Sequence, residues 1–333
     1  MKHIFLIHSH TLYLTSLATI EYLKLKKEDI IFIYSRYYNT ILKNDFLTVD
    51  MSEEAENCFH AVLSFSRRNY LINHKLKNNI IRKVDTFIDK NVTDVFNVYV
   101  PHLQSFISQI FATHERCVEC NFVQEGGRVM SEFVVNKNWL PFQWYNFLFL
   151  RKEKRIWKSI CWFPMESVHF TKPIRVYAID KKFFGEWNGE IHVIKWPELQ
   201  IPYTIESQCP IFVYEGAVEL GQVEKHIYMN AVKRQIEKYH QKNNYVKFHP
   251  MQTIEAKKTI KNFFIQEGVE MMELPMDVPF ELLLTSYKNL KLYGFGTSLL
   301  FFAKALGHEI VSDEKELLKS HKYRQYYKRI LDL

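Results

Sequence analysis

Strand-length apolar runs alternating with helix-length amphipathic ones predict an α/β protein built on parallel, doubly wound sheets. Two further observations set its organisation. At 333 residues the chain exceeds what one hydrophobic core usually supports, and a Pro-dotted, irregular stretch from Trp196 to Pro210 interrupts the alternation. Two Rossmann-like domains are therefore expected, residues 1–205 and 206–333, joined by that stretch.

The elements follow in order. His3 to His8 is too short for a buried helix and ends at a polar Ser9-His10-Thr11 turn, so it reads as a first strand. A helix from Leu12 to Leu25 and a strand from Asp29 to Tyr34 complete a first βαβ unit. Asp94 to Val100 is a strand closed by Pro101-His102, followed by a helix from Leu103 to Thr113. Cys120 to Val123 is another strand, and Ile174 to Ala178 another, before a short helix that starts at Asp180. The second half opens with a strand from Ile211 to Tyr214 and a helix from Val223 to Gln241. A strand from Tyr245 to Phe248, a short helix and a further strand come next. Pro279-Phe280-Glu281 heads an apolar helix, and a strand from Leu290 to Tyr293 leads through Gly294-Phe295-Gly296-Thr297-Ser298 into a helix from Leu299 to Leu306. The tail from Lys315 to Leu333 reads as one cationic amphipathic helix that crosses back to the first domain or meets a membrane.

Composition narrows the function class. Hydrophobic residues make up 47% and charged ones 24%, which is ordinary for a folded protein. A formal charge of +7 favours anionic partners, and nucleic acid is disfavoured among them because no recognition module appears. Five cysteines, an odd number, point to reduced thiols, and Cys117-Val118-Glu119-Cys120 lacks the second pair that a structural zinc site needs. No metal site is expected. No signal-peptide pattern and no run of 18 apolar residues is present, so the expectation is a cytoplasmic protein, peripheral if it meets a membrane. The segment from Trp139 to Pro164, rich in rings and cations, reads either as core helices or as an interfacial patch.

Several motifs carry chemistry. A strand ending in His249-Pro250 delivers an imidazole to the carboxyl edge of a parallel sheet, where open α/β folds bind ligands. Gly294 and Gly296 allow close backbone approach, and Thr297 and Ser298 are good N-cap residues facing a phosphate at the positive end of a helix. Glu281, in the first turn of its helix, complements the helix dipole or accepts from two ribose hydroxyls. Gly216, after a strand, lets the backbone approach donor phosphate or is a plain turn residue. Together these describe a nucleotide-sugar site. In the first half, Glu125 follows a strand and precedes Gly126-Gly127; the residues alone leave a general base and a solvated turn acid equally open. His8, Ser9 and His102 lie at strand ends and are further possible substrate contacts, with Gly126 and Gly127.

The order His249-Pro250, then Phe280-Glu281-Leu282-Leu283-Leu284, then Thr297-Ser298 before an apolar helix resembles the carboxyl-terminal half of bacterial GT-B sialyltransferases, including the capsule polysialyltransferase family. Gln124-Glu125-Gly126-Gly127 is similar to their acidic-Gly signature, with Gln124 where many members carry a second acid. The opening from Ile4 to Ser16 is also similar, and the likeness extends to about residue 310. It implies a GT-B fold, two Rossmann-like domains facing each other across a cleft. It also implies an inverting, metal-independent transfer of sialic acid from CMP-sialic acid to a hydroxyl of a capsule or lipooligosaccharide glycan. Glu125 would be the general base and His249 would assist departure of CMP. Pro250, Glu281, Gly296, Thr297, Ser298 and Gly216 would hold the donor. A CMP-Kdo transferase, a UDP-sugar epimerase or hydrolase, and a non-catalytic glycan-binding protein remain as alternatives.

Overall fold

The computed structural model describes residues 1–38, 44–63, 70–103, 105–126, 155, 172–184, 189–199, 204–276 and 279–325. Gly127, the 139–164 segment apart from residue 155, and the last eight residues lie outside them. The chain divides into two compact units. One is built from Met1–Glu125 and described residues up to Trp196, the other chiefly from Pro197 onward.

In the first unit the strands are β1 (Lys2–Ile7), β2 (Ile30–Tyr34), β3 (Leu47–Asp50), β4 (Phe96–Val100), β5 (Cys117–Val123), β6 (Val176–Ala178) and β7 (Ile191–Val193). All neighbours are parallel, in the order β3-β2-β1-β4-β5-β6-β7. Ile4, Phe5 and Ile7 in β1, Phe32 and Ile33 in β2 and Phe96, Val98 and Val100 in β4 are fully buried, as strands covered on both faces require.

Helix α1 (His10–Leu23) begins where it does because the Ser9 hydroxyl accepts from the Leu12 N–H at 3.3 Å. Its inner face carries Thr15, Ser16 and Thr19, all buried, and their hydroxyls donate to the carbonyls four residues back at 2.7–2.8 Å. A polar stripe is thereby made compatible with the core. Helices α2 (Ser52–Leu63), α3 (Tyr70–Asn91) and α4 (Phe106–Ala112) complete the unit. The sequence analysis assigns nothing to the stretch that forms β3, α2 and α3. Ile80, Val84 and Ile88, all buried, are nevertheless a helical stripe at four-residue spacing.

The second unit holds β8 (Ile211–Tyr214), β9 (Asn243–Phe248), β10 (Glu270–Glu273), β11 (Lys291–Gly294) and β12 (Glu309–Ser312), parallel throughout, in the order β10-β9-β8-β11-β12. Its helices are α5 (Lys225–Tyr239), α6 (Ile254–Gln266), α7 (Phe280–Ser286), α8 (Ser298–Ala305) and α9 (Glu314–Leu317). The division between units falls at Trp196–Pro197, ahead of residue 205. Trp196 is buried and its indole N–H donates to Thr15 at 3.1 Å in the first unit. Leu199 accepts from Ser286, and the Ile205 and Glu206 amides donate to the Tyr287 and Tyr245 hydroxyls of the second.

The carboxyl-terminal tail corrects its expectation. It is not one helix, because α9 stops at Leu317 and a second helical segment starts at residue 321. Leu317 and Tyr323 belong to the second unit's core, and Ser320 is buried. Cys117 and Cys120 are buried on β5, and burial pushes the Cys117 thiol up to about 11 and the Cys120 thiol well above its ordinary value. Among the described residues no helix is long and apolar enough to cross a membrane.

Candidate active site

A doubly wound sheet opens a crevice at the carboxyl ends of its strands where the winding reverses. In the first unit that point lies between β1 and β4. His8 follows β1, His102 follows β4 one residue after Pro101, and Glu125 follows β5, next in the sheet. Three residues far apart in sequence thus share one edge. Gln124 fixes this end of β5, because its backbone N–H donates to Tyr177 at 3.0 Å and its side-chain oxygen accepts from the Ile179 N–H at 2.9 Å. The position that often bears a second acid in the resembling family here ties β5 to the end of β6.

The side chains converge on the Glu125 carboxylate. His8 Nε2 hydrogen-bonds its Oε1, His102 Nε2 lies 3.5 Å from Oε2, and Arg36 Nη1, after β2, lies 3.9 Å from Oε1. Burial works to raise the Glu125 pKa, but the His8 hydrogen bond and charge, followed by His102 and Arg36, outweigh it and hold the group down to about 2. Burial lowers His102 to about 4 against the opposing charge of Glu125, so its ring is neutral near pH 7. Oε2 of Glu125 is buried without a hydrogen bond. That oxygen is closed off, while the Glu125 side chain as a whole is 20% exposed and that of His8 6%. With Nε2 given to Glu125, Nδ1 of His8 makes no hydrogen bond to any described residue.

The other first-unit candidates divide. Ser9 caps α1, its hydroxyl accepting from the Leu12 N–H. An added Cβ on Gly126 would meet no described residue within 4 Å.

In the second unit β8 is central, and the turns after β9 and β11 flank the turn after β8. Gly216 and His249 are in contact, since a Cβ on Gly216 would stand 3.0 Å from His249 Nδ1. Nδ1 accepts from the Met251 N–H at 3.2 Å, while the His249 backbone N–H donates to Tyr214 and to the Gln252 side chain, both at 3.0 Å. The ring is held in the tautomer that leaves Nε2–H as a donor. Burial depresses its pKa, with Glu219 opposing, so it is a neutral donor near pH 7. Pro250 is exposed at the turn.

The glycine-rich turn is packed against neighbours from distant strands. Gly294 is required by the sheet, because a Cβ there would lie 2.6 Å from the Val213 carbonyl oxygen. Gly296 admits the Glu314 carboxylate, whose Oε1 would be 2.2 Å from an added Cβ. That carboxylate comes from the turn after β12 and accepts from the Tyr323 hydroxyl. Thr297 is buried and caps α8 through the Leu299 N–H at 3.3 Å, which leaves the exposed Ser298 as the accessible hydroxyl. Glu281 is half-buried in the first turn of α7, which packs against α8. Glu314 escaped the sequence reading because β12, whose end positions it, was not assigned.

No family model and no curated protein matches the chain. Among solved structures it is similar to a co-structure of S. aureus MnaA with UDP, with 11% identity over 99% of this chain and 88% of that one and a TM-score of 0.51. It is likewise similar to a Listeria monocytogenes protein assigned as a UDP-N-acetylglucosamine 2-epimerase, with 11% identity over 100% of this chain and 88% of that one and a TM-score of 0.52. At such identities the likeness is one of fold, and with two parallel, doubly wound α/β sheets the chain has the GT-B fold.

Proposed function

We propose that the protein is an inverting, metal-independent glycosyltransferase that moves sialic acid from CMP-sialic acid to a hydroxyl of a cell-surface glycan. The observation that carries the reading is the His8–Glu125 pair at the winding reversal of the first sheet. His8 Nδ1 takes the proton of the acceptor hydroxyl while Glu125 balances the charge that develops on the ring, so that the pair acts as the general base expected of Glu125. The freed oxygen attacks C2 of the sialic acid, the bond from C2 to the CMP phosphate breaks, and its electrons leave with the phosphate. His249 Nε2–H donates to that phosphate as its charge grows. The second unit is the donor side in this scheme, with Gly216, Glu281 and Ser298 as further contacts.

The CMP donor rests on the His-Pro, Phe-Glu and Thr-Ser resemblance, whereas both similar solved structures favour UDP chemistry. A second reading is therefore a UDP-sugar epimerase or hydrolase on the same fold. Incubation with CMP-sialic acid, CMP-Kdo and UDP-N-acetylglucosamine against a neutral and anionic glycan panel, with and without EDTA, decides by mass spectrometry. Sialylated product that persists in EDTA supports the proposal. Epimerised or hydrolysed UDP-sugar without transfer replaces it with the second reading. Action from the cytoplasmic face belongs to the same proposal, and the net charge of +7 supports an anionic acceptor or peripheral attachment to an anionic surface. Flotation with anionic and neutral vesicles checks that attachment.

A further inference from the structure

The turn between β2 and β3 is built against its own sequence. Tyr38 N–H donates to the Ser35 carbonyl at 3.2 Å, and the two residues between them, Arg36 and Tyr37, have φ of 57° and 53°. That is a turn with two left-handed central residues, for which Asn-Gly is the favoured sequence and Arg-Tyr a poor one. The surroundings impose it. The Ser35 N–H donates to Ile7 at 2.9 Å and the Met51 N–H to Tyr34 at 2.8 Å. The Tyr37 N–H is held by the buried Ser52 hydroxyl at 2.6 Å, which itself donates to Asp50 at 2.6 Å, and the Tyr37 hydroxyl donates to Glu56 at 2.8 Å.

A strained backbone held by so many bonds points to a purpose for the side chains it displays. Asn-Gly would make the same turn with less strain, so what Arg36 adds is its guanidinium. That group is 60% exposed, makes no hydrogen bond to any described residue, and stands 3.9 Å from Glu125 at the edge shared with His8. At that distance and exposure the ion pair itself contributes little. The donors of the guanidinium fork are thus uncommitted among the described residues, next to the His8–Glu125 pair.

We infer that Arg36 is a specificity-determining residue that takes a carboxylate or phosphate oxyanion on the acceptor. The inference rests on reading the His8–Glu125 edge as the acceptor side. It is tested without any donor, so that it does not depend on turnover. Binding of lactose, 3′-sialyllactose and lactose 6′-phosphate to the full chain is measured by calorimetry or ligand-observed NMR, for the wild type and for Arg36→Asn, a residue that tolerates the left-handed backbone.

A charged probe should bind about tenfold more tightly than lactose, and Arg36→Asn should bring it to the lactose level with no fall in Tm. Whichever charged probe gains identifies the oxyanion as carboxylate or phosphate. Equal binding of charged and neutral probes, no binding of either charged probe, or a preference that survives in Arg36→Asn overturns the inference. Arg36-dependent binding in a protein that transfers no sugar would leave this inference standing and remove the transferase reading.

Discussion

His8 and Glu125 are proposed to act on one proton, which makes their variants a test of coupling as well as of importance. Glu125→Gln keeps the shape of the side chain and removes the anion, while His8→Asn removes the base. Each should lower kcat by about 10²–10⁴-fold. The double variant should fall no further than the weaker single one, because the two residues serve the same step. Initial rates with the donor found in the panel, alongside nucleotide binding that stays near wild type, check this. Turnover within twofold of wild type in either single variant removes the role. The sequence placed both residues at strand ends but did not pair them. They are 117 residues apart, and only the order in which β1, β4 and β5 lie side by side joins them. Arg36 was less legible still, since nothing in Ser-Arg-Tyr-Tyr signals a left-handed turn.

At the scale of elements, the turn between β11 and α8 was the most legible feature. Gly-x-Gly-Thr-Ser before an apolar helix correctly gave a strand, a tight turn and a capped helix start. What the glycines are for depends on neighbours from distant strands: the Val213 carbonyl from β8 for Gly294, and Glu314 from the end of β12 for Gly296. Gly296→Ala should therefore push the end of the Glu314 side chain aside at the cost of its hydrogen bond to Tyr323, a loss of roughly 1 kcal/mol. Adding Glu314→Ala should then cost little more, because the same bond is already lost, which denaturation of the two single variants and the double one will measure. Additive losses would show that the contact does not govern the glycine. The expected first strand, α1 and β8 were readable because buried parallel strands and capped helices write themselves locally. The stretch from β3 to α3 was missed although Ile80, Val84 and Ile88 carry its stripe.

For the whole molecule, acid should be the sensitive direction. His102 has a folded pKa of about 4 against an ordinary 6.5, so between those values the unfolded chain binds the proton that the folded one refuses. Stability from that group is complete above pH 6.5 and falls as the pH drops towards 4, a loss of up to about 3 kcal/mol. Glu125, held down to about 2 from an ordinary 4.5, loses its contribution in the next interval, again as the pH falls. Urea midpoints at pH 7, 5.5 and 4 should decline in that order, and His102→Gln should flatten the first part of the decline. An unchanged slope in that variant would assign the acid sensitivity elsewhere.

Cys117 and Cys120 sit inside the strand whose last turn presents Glu125, with both sulfurs shielded from solvent. A thiol reagent can reach them only when that part of the sheet parts, so the slow phase of their alkylation is a built-in clock for how often the strand breathes. Slowing of that clock by a bound acceptor would connect occupancy at the edge to rigidity behind it, with no label introduced.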